Sequence, residues 1–126
     1  MNNLIPDKKY YSTTTVSKSK FIAILIPLST KEEFGEMIES IKVEFPNASH
    51  YCYALRFEGY AKASDDKEPH GTAGRPILLS LTRKKIDKAL LVVVRYFGGT
   101  KLGASNLLRT YVKSASSVID EFLKQK

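Results

Sequence analysis

Residues Leu90 to Arg109 read LLVVVRYFGGTKLGASNLLR, an apolar run that enters a glycine-rich turn and leaves it in a helical pattern. Leu90 to Val94 are five apolar residues, three of them valine, the composition of a strand buried on both faces. Gly98, Gly99 and Gly103 interrupt the pattern and permit backbone angles that side chains forbid. From there the apolar positions fall at Leu107/Leu108, Tyr111/Val112, Ala115, Val118/Ile119 and Phe122/Leu123, which is helical spacing. Strand, glycine turn, helix is the reading from which the rest of the chain is placed.

A helix that starts in such a turn exposes backbone N–H groups at the positive end of its dipole, which attracts an anion. Lys101 lies in the turn, and Arg109 and Lys113 stand four apart on the polar side of the helix. A phosphate site is one reading; close packing of strand on helix, with Lys101 in solvent, is the other. The GxxxxGK[ST] spacing of a P-loop does not occur.

The chain has 126 residues, 43% hydrophobic, enough for one domain with a buried core. Its single Cys52 excludes an internal disulfide framework and fits a reducing, cytoplasmic setting. No apolar segment approaches the ~20 residues of a membrane span, and MNNLIPDKKYY does not read as a signal peptide. Twenty Lys and Arg against 13 Asp and Glu give a formal charge of +7, which favours polyanionic partners without requiring one.

Working outward, Lys9 to Val16 and Phe21 to Ile26 read as an antiparallel hairpin around Ser17 to Lys20. Ser29 and Thr30 followed by Glu32 and Glu33 form a capping-box pattern, and Phe34, Ile38, Ile41 and Phe45 hold helical spacing until Pro46. Tyr51 to Phe57 alternates, with Tyr51, Tyr53, Leu55 and Phe57 on one face and His50, Cys52, Ala54 and Arg56 on the other. His50 and Cys52 lie about 6.6 Å apart along such a strand, beyond the ~3 Å a nucleophile needs from its base, so Cys52 reads as a small core residue.

Gly59 to Gly74, GYAKASDDKEPHGTAG, is the longest aperiodic segment, a length that marks functional or mobile loops. Asp65, Asp66 and Glu68 admit two readings, Mg²⁺ ligation beside a phosphate or a solvated acidic loop, and they match no calcium-loop spacing. His70 lacks neighbours for a zinc site, and no metal or other cofactor is expected. Thr72 can cap a helix carrying Ile77, Leu78, Leu79 and Leu81, with Pro76 in its first turn. That makes a second glycine-rich helix start, with Arg75 inside it. The order β-β-α-β-α-β-α over residues 1–126 describes a two-layer α+β domain: a four-stranded, mostly antiparallel sheet with helices on one face.

The segments DDKEPHGTAGRP (Asp65 to Pro76) and VVVRYFGGTKLGASNLLRTY (Val92 to Tyr111) resemble the two signatures of the IMPACT/YigZ family. SKFIA at Ser19 to Ala23 and HYCYALR at His50 to Arg56 extend the resemblance over almost the whole chain. It implies a single Impact N-terminal domain with the fold of the second domain of ribosomal protein S five. Eukaryotic members regulate translation under amino-acid starvation and carry an extra N-terminal domain; bacterial members usually carry a ferredoxin-like C-terminal one. Neither extension lies within the 126 residues, and the sequence leaves open whether the chain is naturally minimal or a piece of a longer one. Where the family reads DDGEP this chain has Lys67, and where it reads LGxGGLxRAY this chain has Ser105, Asn106 and Thr110. Side chains at Ser105 and Asn106 would narrow a tight nucleotide pocket and disfavour it against a surface contact, while both are good N-caps.

Three functions follow as expectations. The first is a non-enzymatic module of translation or stress control that binds RNA, ribosome or a translation-related protein. It would use Arg75, Lys101, Arg109 and Lys113, with Gly98, Gly99 and Gly103 shaping the turn. The second is a Mg²⁺-dependent enzyme on a phosphorylated small molecule or nucleotide, using Asp65, Asp66 or Glu68 in a loop that also holds His70. No nucleophile–base pair supports it, and no catalytic residue is assigned. The third is a scaffold whose open sheet face docks a partner through His50, Arg56 and the tyrosines.

Overall fold

The computed structural model describes residues 2–125. Five strands, β1 (Tyr10–Val16), β2 (Ser19–Pro27), β3 (His50–Phe57), β4 (Tyr60–Ser64) and β5 (Ala89–Tyr96), and three helices, α1 (Phe34–Glu44), α2 (Gly74–Arg83) and α3 (Ala104–Lys124), make an α+β domain. The sheet order is β1-β2-β5-β3-β4, with every pairing antiparallel. The apolar run Leu90 to Val94 sits at the centre, between β2 and β3, and is fully buried.

Both hairpins turn on two residues with positive φ, Ser17 (47°) and Lys18 (67°) between β1 and β2, Glu58 (48°) and Gly59 (90°) between β3 and β4. This is the turn whose twist matches the flanking strands. The sequence reading has one strand fewer, because β4 lies inside the aperiodic segment. Its residues YAKAS are mostly exposed at a sheet edge, so no buried face imposes an alternation on them.

The helices do not share one face. Phe21, Ala23, Leu25, Cys52, Ala54, Leu91 and Val93 pack under α2 and α3, which contribute Ile77, Leu81, Leu107, Tyr111, Ala115, Val118 and Phe122. On the opposite face Ile22, Ile24, Ile26, Leu90, Val92 and Val94 pack against Ile38 and Ile41 of α1. The cause is the composition of β2 and β5: strands apolar on both sides must be covered on both sides. Tyr51 and Tyr53 pack into that second layer, and Arg56 Nη1 donates to the Ile86 carbonyl at 2.7 Å, so these residues build the core and its edges.

Two helix starts differ from the sequence reading. The Glu33 carboxylate accepts from the Ser29 N–H at 2.8 Å, one half of the capping box, while Thr30 makes no side-chain cap. Thr72 donates to the Pro69 carbonyl at 2.6 Å instead of capping α2.

Candidate functional site

The turn between β5 and α3 is built around a close backbone approach. A Cβ on Gly98 would stand 2.2 Å from the Lys18 carbonyl carbon, so glycine lets the turn lie directly on the β1–β2 hairpin. Gly98 N–H donates to Ser19 Oγ at 3.2 Å and fixes that contact. Gly99 and Gly103 have φ of 92° and 79°, angles open to glycine. Gly103 is the N-cap of α3, and the helix start carries no side-chain cap. Ser105 and Asn106 do not serve there; Asn106 Nδ2 donates to the Leu102 carbonyl at 3.0 Å, and its Oδ1 accepts from Arg109.

The start of α2 is the opposite case. Asp65 accepts from Gly71 N–H at 2.9 Å through Oδ2, and from Ala73 and Gly74 N–H at 3.1 and 2.8 Å through Oδ1. Burial resists the charge, but these three N–H groups, with His70 nearby, hold the carboxyl below its ordinary value. A residue of the chain thus fills the anion site that the glycines around Arg75 create. Asp66 is also committed, its Oδ2 accepting from Tyr51 N–H at 2.6 Å. Among the described residues no group of three or more His, Cys, Asp or Glu is arranged to hold a metal ion.

Between these helix starts lies a buried polar cluster that sequence spacing did not reveal. Glu68, at 7% exposure, accepts from Arg95 Nη1 at 2.8 and 3.1 Å and from Tyr111 Oη at 2.6 Å. Arg95, at 5%, has its guanidinium between the Phe21 and Phe97 rings, 5.3 and 5.6 Å from their centroids. Its Nη2 donates to Ser19 Oγ at 3.3 Å, while its Nε has no hydrogen-bond partner. His50 places Nδ1 2.7 Å from the Asp66 carbonyl oxygen and Nε2 3.4 Å from Glu68 Oε1, so both ring nitrogens face acceptors. Cys52 Sγ lies 3.3 Å from Tyr111 Oη. Burial pushes the Cys52 thiol and the Tyr111 phenol well above their ordinary values, keeping both protonated.

This cluster floors a cavity of about 350 Å³ whose rim includes Phe97, Lys101, Gly103 and Ala104. Of the expected cations, Lys101 alone lines it. Arg109 and Lys113 flank a neighbouring groove beside Ser17 and Leu102, and Arg75 lies further off, between α2 and α3 with Leu79 and Leu108. The Gly98 contact also sets the backbone of the β1–β2 hairpin turn against the glycine turn. His70 is exposed and lies outside the cavity lining.

The profile of the Impact N-terminal domain matches residues 17–119. The chain belongs to this family. Among its IMPACT relatives, member YvyE of Bacillus subtilis (strain 168) is 45% identical over 104 residues, 80% of this chain and 48% of that protein. Member YigZ of Escherichia coli (strain K12) is 32% identical over 128 residues, 98% of this chain and 63% of that protein. The chain therefore spans about half to two-thirds of the curated relatives it matches. A crystal structure described as a hypothetical protein superposes with a TM-score of 0.89 at 32% identity, covering 93% of this chain and 59% of its own. The two-domain translational regulator Yih1 shares the fold at a TM-score of 0.51 and 20% identity, over 96% of this chain and 47% of its own.

Within this Impact domain, Glu68, Arg95 and Tyr111 all fall inside the two signature segments; the sequence pattern puts Tyr111 on the apolar face of the last helix and Glu68 in an acidic loop, and leaves Arg95 unassigned. The available signal was Arg95 itself, a charge ending an otherwise apolar strand. A charge there requires a buried partner.

Proposed function

We propose that this Impact domain is a non-enzymatic module of translation control that holds RNA, free or within the ribosome, against its basic end. The observation that carries the reading is the contrast between two helix starts: α2 is closed by Asp65, whereas α3 is uncapped, with Lys101 beside its first residues and Arg109 and Lys113 on the adjoining groove. Membership of the IMPACT family supports it, and so does the printed role of the fold relative Yih1 as a translational regulator. The lone buried Cys52 suits the reducing cytoplasm in which such a module would work. The competing reading, a Mg²⁺-dependent enzyme, is less supported, since both Asp65 oxygens and Asp66 Oδ2 accept backbone N–H groups and Glu68 is held by Arg95 and Tyr111.

The test is fluorescence anisotropy of a labelled mixed-sequence RNA at low and moderate salt, with the wild type and with Lys101→Ala/Arg109→Ala. Binding that weakens steeply with salt, and with a shallower salt slope in the double variant, supports the reading. No binding at low salt overturns it and turns the search to an acidic protein partner.

A further inference from the structure

Between α2 and α3 runs a groove of about 220 Å³, distinct from those that Lys101, Arg109 and Lys113 line. Its walls include Arg75, Leu79 and Arg83 from α2 and Leu108 and Val112 from α3. Leu79 is 38% exposed and Leu108 41%, and neither belongs to the core beneath the helices, so each helix leaves a leucine to water in the same recess. Arg75, Leu79 and Arg83 are spaced four apart and lie in one stripe along α2, which sets the two arginines about 12 Å from each other along the axis. Among the described residues neither arginine has an ion-pair partner, and no carboxylate lines the groove. The Ser80 hydroxyl in its floor already donates to the Pro76 carbonyl at 2.9 Å. An occupant must therefore bring apolar side chains to the middle and negative charge to both sides of them. RNA brings the charge but no aliphatic side chain, and a second copy of this chain would bring the same arginines together across a two-fold axis. An acidic helix with an apolar stripe supplies both.

We propose that the α2–α3 groove docks an acidic amphipathic helix of a partner protein, its apolar residues on Leu79, Leu108 and Val112 and its carboxylates on Arg75 and Arg83. The separation of the arginines calls for partner acids about seven residues apart, with apolar residues midway between them on the same face. This surface is separate from the RNA-binding end proposed above and does not depend on it.

The experiment is fluorescence anisotropy of a labelled, alanine-based helical peptide of about 15 residues, with two glutamates about seven residues apart and a pair of leucines midway between them. It is titrated with wild type, Leu79→Gln/Leu108→Gln and Arg75→Gln/Arg83→Gln, and repeated with a peptide carrying lysines in place of the glutamates. Each double variant should weaken binding of the glutamate peptide by about tenfold or more, and the lysine peptide should not bind. Leu79→Gln/Leu108→Gln replaces exposed side chains and should leave Tm and RNA binding as in wild type. Equal binding of the two peptides, full affinity in either double variant, or no binding of the glutamate peptide at low salt would overturn the proposal. RNA that displaces the peptide would assign the groove to nucleic acid. A wild type that sediments as a dimer, beside a monomeric leucine variant, would assign it to a second copy. Either result would also overturn the partner helix.

Discussion

Replacing Glu68 with alanine tests the buried cluster most directly. The substitution removes the acceptor of two short contacts from Arg95, at 2.8 and 3.1 Å, and of the 2.6 Å contact from Tyr111. Arg95 lies at 5% exposure and Tyr111 at 0%, so neither group recovers its hydration. Breaking one side of a buried ion pair costs about 3–5 kcal/mol, because the other charge is left uncompensated, and an orphaned buried hydroxyl adds about 1 kcal/mol. The sum, near 5 kcal/mol, is a large share of the ~5–15 kcal/mol that stabilises a domain. At about 4 °C per kcal/mol for a chain of this size, Tm falls by about 20 °C. The assay is urea unfolding followed by circular dichroism, with a thermal melt at neutral pH. The triple variant Glu68→Leu/Arg95→Met/Tyr111→Phe removes all three polar partners and should regain most of the loss, since apolar replacement of a buried pair is often neutral. A fall below about 5 °C for Glu68→Ala, or a triple variant no better than the single one, would refute the account of a desolvated, mutually dependent cluster.

Asp65→Asn weakens the α2 start by about 1–2 kcal/mol at neutral pH, read as a lower urea midpoint. Because folding lowers the Asp65 pKa from its ordinary 3.8, its contribution is full above that value and is lost as pH falls through the folded pKa; the wild-type advantage over Asp65→Asn should vanish at the acid end of a pH series. Gly98→Ala forces a methyl into the Lys18 backbone and should cost about 3 kcal/mol, whereas Gly99→Ala enters open space at φ 92° and should cost about 1 kcal/mol; similar losses at both sites would contradict the close-approach argument. Cys52, buried and with its thiol pKa raised, should react with a thiol reagent only at the rate of unfolding, and rapid labelling of the native protein would show the layer over β3 to be open.

The elements legible in the sequence were those with a strong period or a hard stop. Leu107, Tyr111, Ala115, Val118 and Phe122 marked the buried face of α3, and all five are core; Phe34 to Phe45 marked α1 because Pro46 closes it. The polar edge strand β4 left no apolar rhythm to read, and the side on which α1 packs was hidden because β2 and β5 are apolar on both faces. At the site, the glycines announced an unusual turn, but not that Gly98 touches Lys18, 80 residues away in the chain. Glu68, Arg95 and Tyr111 meet only through the fold, and Asp65 read as either a Mg²⁺ ligand or a solvated loop residue because its partners are backbone N–H groups, which carry no residue identity.

The position of β5 bears on how this chain comes to be folded. The first 64 residues contain two ready-made hairpins, β1–β2 and β3–β4, yet no ladder joins them directly; both hairpins pair with β5. Each can form early from local turns, but each shows β5 an unpaired edge until residues 89–96 arrive. During synthesis the nascent chain would hold two sticky half-sheets while α2 is made, and sheet closure would await one late, valine-rich segment. Consolidation of the domain is thus a post-emergence event governed by long-range contacts, and a translation product cut short before β5 would offer two open edges for a chaperone or a protease to find.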